Sequence, residues 1–314
     1  MNETSDAKDS SISDPSKQDD VLSTQRSLPS GNTLDESKST RQRMLEIESA
    51  PSSTEATSSS LSRFYLKLAP PHVTYALIAL NVLAFIIMIG YGFREYNTWS
   101  GPEDMRVLVD LGAKVNNLIV NGEIWRLLSA TFLHIGAIHL LMNLYALYAF
   151  GPMVEGYFGH ARFLAIYIIA GLLGSIASFA FSQAVSAGAS GAVFGLAGAI
   201  IVYFLRYRNN FGSRGRAILQ NMLMVIGINL VFGLSMRGID NWGHMGGLVG
   251  GAIAAFGLLP KYTQLTARQM LPQGDPQQLP EEERTVFNIG WVLACAALLW
   301  ILFQSASRIT PLFL

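Results

Sequence analysis

Charge is what this chain has least of. Only 14% of its 314 residues are Asp, Glu, Lys or Arg, while 50% are hydrophobic. An ordinary soluble protein carries about 25% charge, so a soluble enzyme is a poor reading. There is one cysteine, Cys295, in an apolar run, which leaves no disulfide framework and no thiol metal cluster. An excess of one charge sign is missing too: 22 basic residues face 22 acidic ones. With no basic patch or arm, nucleic acid is not an expected partner. The zero is an average. Residues 1–63 hold 11 acidic and 7 basic groups with 17 Ser and 6 Thr, whereas the other 251 residues hold 15 basic and 11 acidic. An acidic segment (7 − 11 = −4) is thus joined to a basic remainder (15 − 11 = +4).

Residues 1–62 have too few apolar groups to offset the entropy of ordering them, and are expected to be a disordered Ser/Thr-rich cytoplasmic tail. Thr40–Glu48 is the one stretch with a weak amphipathic pattern. The tail shows neither the Arg-rich, acid-poor pattern of a transit peptide nor the early apolar stretch of a signal peptide. From Val73 onward, uncharged runs fit the rule of about 20 apolar residues per membrane helix. They are Val73–Phe93, Leu127–Val154 (one span with a lead-in segment), Phe163–Leu205, Ala217–Met236, Asn241–Pro260 and Thr285–Ser307. The third is long enough for two spans if Ser182–Ala187 is a turn, so seven spans are predicted.

The fold class expected is an all-α polytopic membrane protein. Residues 63–260 would be a six-span core, 261–284 a Pro-marked acidic linker, 285–307 a seventh transmembrane helix and 308–314 a short outer C-terminus. With the tail inside, ten Lys or Arg flank the inner ends against six outside, and the Arg206–Arg216 cluster decides the orientation. The N-terminus is then cytoplasmic and the C-terminus outside, most simply in the plasma membrane.

Nucleophilic or ionisable groups inside a membrane are costly and point to function. Three patterns stand out: His139-Leu-Leu-Met-Asn143, Gly188-Ala-Ser-Gly191 and Asn241-Trp-Gly-His244-Met-Gly-Gly247. Each has a bland reading. Ser190 between glycines is a small packing residue, a lone His is a satisfied polar group, and Asn143 bonds a neighbouring helix. Depth counts against these. Ser190 lies 16 residues from Arg206, His244 lies 17 from Lys261, and His139 lies 16 from Glu155. At about 1.5 Å per residue, all three sit roughly 24–26 Å above the inner boundary of a core about 30 Å thick. Asn143 falls one turn deeper, on the face of His139.

A layer of Ser, His and Asn supports acyl transfer. A serine hydroxyl needs a base within reach, and His244 has the right chemistry. Asn143, His139 and the Ser190 backbone N–H are candidate donors to an oxyanion. No intramembrane carboxylate completes a triad, and Asp240 lies four residues before His244, so a dyad is the economical reading. Span four, which opens at Ser190, is too short to cross the core, so its start would need protein or a water-filled cavity around it. Gly191, Gly195 and Gly198, with Gly243, Gly247, Gly250 and Gly251, are spaced to let spans four and six approach closely.

Between Pro70 and Pro260 the chain resembles the rhomboid intramembrane serine proteases. The likeness rests on Trp125-Arg126, His139-Leu-Leu-Met-Asn143, Gly188-Ala-Ser-Gly-Ala-Val-Phe-Gly195 and Gly243-His244-Met-Gly-Gly247, in that order. It implies Ser190 as nucleophile, His244 as base, and His139 with Asn143 as oxyanion donors. It also implies Phe194 as the aromatic neighbour of the histidine, Gly188 and Gly191 as supporting residues, and Trp125-Arg126 in a loop against the membrane. His134 and Glu155 match positions used structurally. Inactive relatives commonly carry Pro just before the serine position, where this chain has Ala189.

The extra span after the core resembles one branch of the family and not the mitochondrial type. The implied substrates are single-span membrane proteins cut in or beside their span, with span five as gate, no metal and no cofactor. Two other readings stay open. One is a catalytically silent relative that binds or quality-controls membrane proteins. The other is a transporter, although transporters place their site near the midplane and show internal repeats that are not seen here.

Overall fold

Pro70 and Pro71 end the approach to the first long helix, α1 (His72–Tyr96), in the computed structural model of the protein. It describes residues 64–65, 68–235, 238–262, 277–278 and 282–310. The proposed tail, most of the 261–284 linker and residues 311–314 lie outside the described residues. The first N–H groups of a helix lack partners within it. Here the buried Glu155 carboxylate accepts from the Val73 and Thr74 N–H groups, each at 2.8 Å, and from the Thr74 hydroxyl at 2.6 Å. A negative charge at that end also meets the positive pole of the helix dipole. At the other end Asn97 adopts the left-handed conformation, φ 51°, which closes α1.

A chain of short helices follows: α2 (Met105–Asp110), α3 (Asn116–Val120) and α4 (Arg126–Ser129). The remaining helices are α5 (Ala137–Phe158), α6 (His160–Phe181), α7 (Ser190–Arg206), α8 (Arg208–Ser235), α9 (Asn241–Leu258) and α10 (Thr285–Ile309). Phe64–Tyr65 and Gln277–Gln278 make a two-residue parallel pairing. α1, α5, α6 and α10 are each long and apolar enough to cross a bilayer, and Ser190–Arg206 and Gly215–Val231 are shorter apolar helical stretches. The protein is an all-helical integral membrane protein.

α7 is the central helix. Its Ala192, Leu196, Ala199 and Phe204 are fully buried, and α5, α6, α8 and α9 pack around it. Its contact with α9 runs backbone to backbone. A Cβ on Gly247 would overlap the Gly191 carbonyl, and one on Gly251 would overlap Gly195. Without a hydrophobic force between helices in lipid, such close van der Waals packing is what joins them. α10 lies against α6 and α9. Its Phe303 ring sits 6.0 Å from that of Phe179, its Thr310 hydroxyl donates to the Phe179 carbonyl at 3.3 Å, and its Trp291 ring fills the space left by Gly257.

Two sequence expectations change in detail. Helix α8 begins at Arg208, nine residues before the uncharged run Ala217–Met236. At 28 residues, about 42 Å, it is longer than a hydrocarbon core of about 30 Å, and its charged first turns are helix continuous with the apolar run. The depth count also treats charges as marks of the solvent boundary. Glu155, Lys114 and Arg126 are instead 0%, 1% and 4% exposed. Each is held by hydrogen bonds that replace water, so the depth count for His139 rests on a buried cap.

Candidate active site

Ser190 is the first residue of α7, and the chain before it is fastened at two points. The Gly188 N–H donates to the Ala130 carbonyl at 2.8 Å, and the Ala189 N–H to His134 Nε2 at 3.4 Å. Gly188 has φ 148°, a conformation L side chains rarely adopt, and a Cβ there would lie 2.7 Å from His139 Cε1 and 2.9 Å from its Nε2. Only glycine lets the His139 ring close against this turn. The ring of His139 also meets His134 edge to face, with centroids 5.3 Å apart.

His244 stands in the first turn of α9, which is capped by Asp240. The Asp240 carboxylate accepts from the Gly243 N–H at 2.9 Å and from the Ser186 hydroxyl at 2.6 Å. The glycine seam between α7 and α9 then brings the half-buried Ser190 hydroxyl to 3.0 Å from His244 Nε2. One turn along α7, Phe194 stacks on the imidazole with centroids 4.3 Å apart and planes 9° apart. His244 Nδ1 has no hydrogen-bond partner among the described residues.

The structure therefore brings together Ser190, His244, Phe194, Gly188 and His139, with Gly191 in the seam. Asn143 is buried one turn below His139, but its amide donates to its own helix, to the His139 carbonyl, at 2.9 Å. Trp125 and Arg126 lie elsewhere, in the segment joining α1 to α5. The Arg126 guanidinium binds Glu123 at 2.7 Å and the Val109 carbonyl at 2.5 Å, and it covers the half-exposed Trp125 ring. Its contacts organise the loop rather than the Ser–His pair. No group of three or more potential metal ligands occurs among the described residues.

Ser186 and Asp240, which no motif of the sequence marks as part of this site, hold the start of α9 in place. Lys114 is one of the six basic residues on the outer side in the orientation count. Its only sequence signal was standing alone between Ala113 and Val115, which does not distinguish a buried ammonium from a solvated one.

A serine hydroxyl in hydrogen-bond contact with an imidazole, at the start of a buried helix, defines a class: a polytopic helical membrane protein with a Ser–His contact of the kind that nucleophilic chemistry uses. Comparison with known proteins narrows it. A sequence model of the rhomboid domain matches residues 121–261. The rhomboid protease GluP of Bacillus subtilis (strain 168) is 48% identical over 192 residues, 61% of this chain and 36% of that protein. From Arabidopsis thaliana, RHOMBOID-like protein 6, mitochondrial, is 42% identical over 165 residues, 52% and 53% of the two chains. RHOMBOID-like protein 5, from the same plant, is 34% identical over 208 residues, 65% and 66%. The chain thus matches between about a third and two thirds of the length of these relatives, and it belongs to the rhomboid family.

Proposed function

We propose that this protein is an intramembrane serine endopeptidase that cuts single-span membrane proteins within or next to their transmembrane segment. The observation that carries the proposal is the 3.0 Å contact between Ser190 Oγ and His244 Nε2. His244 takes the hydroxyl proton as Ser190 attacks the scissile carbonyl, and returns it to the leaving amine. The acyl-enzyme is then hydrolysed by water activated on the same imidazole. With Nδ1 unpaired among the described residues and Asp240 engaged by Ser186 and Gly243, the pair acts as a dyad.

The oxyanion forms beside the start of α7, where the Ser190 N–H is one of the helix donors without an internal partner. The His139 ring, packed on Gly188, supplies a second donor. Asn143 supplies a third once its amide turns from the His139 carbonyl. Phe194 holds the imidazole plane. Family membership and the likeness to a protein named a rhomboid protease support the same reading. A helical peptide bond is shielded by its neighbours, so a segment that unwinds easily is the better substrate. Seven spans would place the N-terminus in the cytoplasm and the C-terminus outside, in the plasma membrane.

Ser190→Ala should abolish cleavage of a single-span reporter while the protein is still inserted and folded; retained cleavage overturns the proposal. A serine-directed phosphonate should label Ser190 in the wild type and not in His244→Ala. A folded, correctly inserted wild type that is never labelled indicates the silent, substrate-binding relative.

A further inference from the structure

Lys114 has no part in the chemistry above, yet it is 1% exposed and fully engaged. Its ammonium donates to Asn116 Oδ1 at 2.9 Å and to the Ser182 and Ala184 carbonyls, each at 2.8 Å, so three donors meet three acceptors. Asn116 extends the grip, donating to the Phe179 and Ser182 carbonyls at 3.1 Å and to Gln183 Oε1 at 3.2 Å. The Lys114 backbone pairs with Ser186 in both directions, N–H to carbonyl, at 2.9 and 3.2 Å. Ser186 in turn donates its hydroxyl to Asp240, the cap of α9. One cation thus fastens residues 182–186, which lead to Ser190, and through Ser186 reaches the helix end that carries His244.

We propose that Lys114 is a positioning residue for the Ser190–His244 pair, acting through Ser186 and Asp240 to set the two helix starts against each other. This rests on the reading of that pair as catalytic. The mechanism is geometric. The 182–186 connector has no helix or sheet to hold it, and its carbonyls converge on a charge that only three N–H donors satisfy. Asp240 is the charged residue whose field reaches Lys114, and the other polar groups facing it, Asn116, Ser182 and Ser186, are neutral.

Burial lowers the Lys114 amine from its usual 10.5 to about 8, with Asp240 opposing the shift. Once deprotonated, the amine has two N–H donors and a lone pair for the same three acceptors, and one carbonyl is released. The grip therefore loosens as pH rises through about 8. Stability runs the other way. Between about 8 and 10.5 the unfolded chain binds more protons at this site than the folded one, so this group adds stability as pH rises. A fall in rate over that range is thus not an unfolding effect of Lys114.

The test uses the full chain in proteoliposomes, with phosphonate labelling of Ser190 and reporter cleavage followed from pH 6 to 10. Lys114→Met, Ser186→Ala and the double variant are compared with wild type. Each single change should lower kcat and the labelling rate by about tenfold to a hundredfold, the scale of a misplacement near 1 Å. KM should hold within about twofold, and the double variant should be no worse than Lys114→Met, because the two act in series. The fall in wild-type labelling above about pH 8 should be absent in Lys114→Met. If Lys114→Met does not fold, Ser186→Ala carries the test, since it leaves the three acceptors in place. A wild-type labelling rate in Ser186→Ala, additive losses, or a pH limb that persists in Lys114→Met overturns the positioning role alone. A wild type that is never labelled overturns the catalytic reading, and this one with it.

Discussion

Phe194 shows its face to the His244 ring at 4.3 Å, and Nδ1 of that ring has no hydrogen-bond partner among the described residues. In the proposed dyad, stacking does the orienting that a carboxylate does in a triad. An aromatic pair of this kind is worth about 0.5–1.5 kcal/mol, so Phe194→Ala should slow cleavage about twofold to tenfold. Phe194→Tyr should stay near wild type, both read as kcat on a reporter. Gly188 is the opposite case, a residue valued for having no side chain. Gly188→Ala sets a Cβ against the His139 ring at an unfavourable φ, a strain of about 1–3 kcal/mol. In the proposed mechanism, the expected outcome is a folded protein whose Ser190 labels about 10²–10³-fold more slowly, the loss of one oxyanion donor.

At the scale of elements, the α7–α9 seam and the Glu155 cap do different work. The seam sets the Ser–His distance. Gly247→Val would force a side chain onto the Gly191 backbone, and overpacking there should cost about 1–3 kcal/mol in a detergent-unfolding titration together with loss of labelling. The Glu155 cap ties α1 to α5 from the far ends of these helices. In Glu155→Gln one oxygen becomes an NH₂ group and can no longer accept from Val73 or Thr74, stranding a buried donor at a cost of about 1–3 kcal/mol. That variant should unfold earlier, while the fraction that stays folded labels at Ser190 at the wild-type rate.

At the scale of the whole molecule, seven helices of 17 residues or more follow one another among the described residues, with the short α2–α4 between the first and second of them. If all seven cross, the ends lie on opposite sides. Cysteines introduced at positions 1 and 314 should then react with an impermeant thiol reagent from opposite faces of sealed vesicles. Labelling from the same face would break both the count and the orientation. The helices were legible because uncharged runs of 20 residues or more admit little else, and the turn at Ser182–Ala187 falls between α6, ending at Phe181, and α7, starting at Ser190. What was not legible has one character. Lys114, Arg126 and Glu155 read as boundary charges in one dimension, and only packing reveals that each is enclosed by acceptors or donors far along the chain.

The shortage of charge that marks this sequence by itself determined the environment and the helical class. It did so because a bilayer core admits a backbone only as helix and polar groups only at a cost. Tertiary structure alone decided the angle and distance between Ser190 and His244, the inward turn of the Asn143 amide and the burial of Lys114. Those depend on where separate helices touch, and a contact between residues 54 positions apart is written in the shapes of both surfaces, not in the pattern of either.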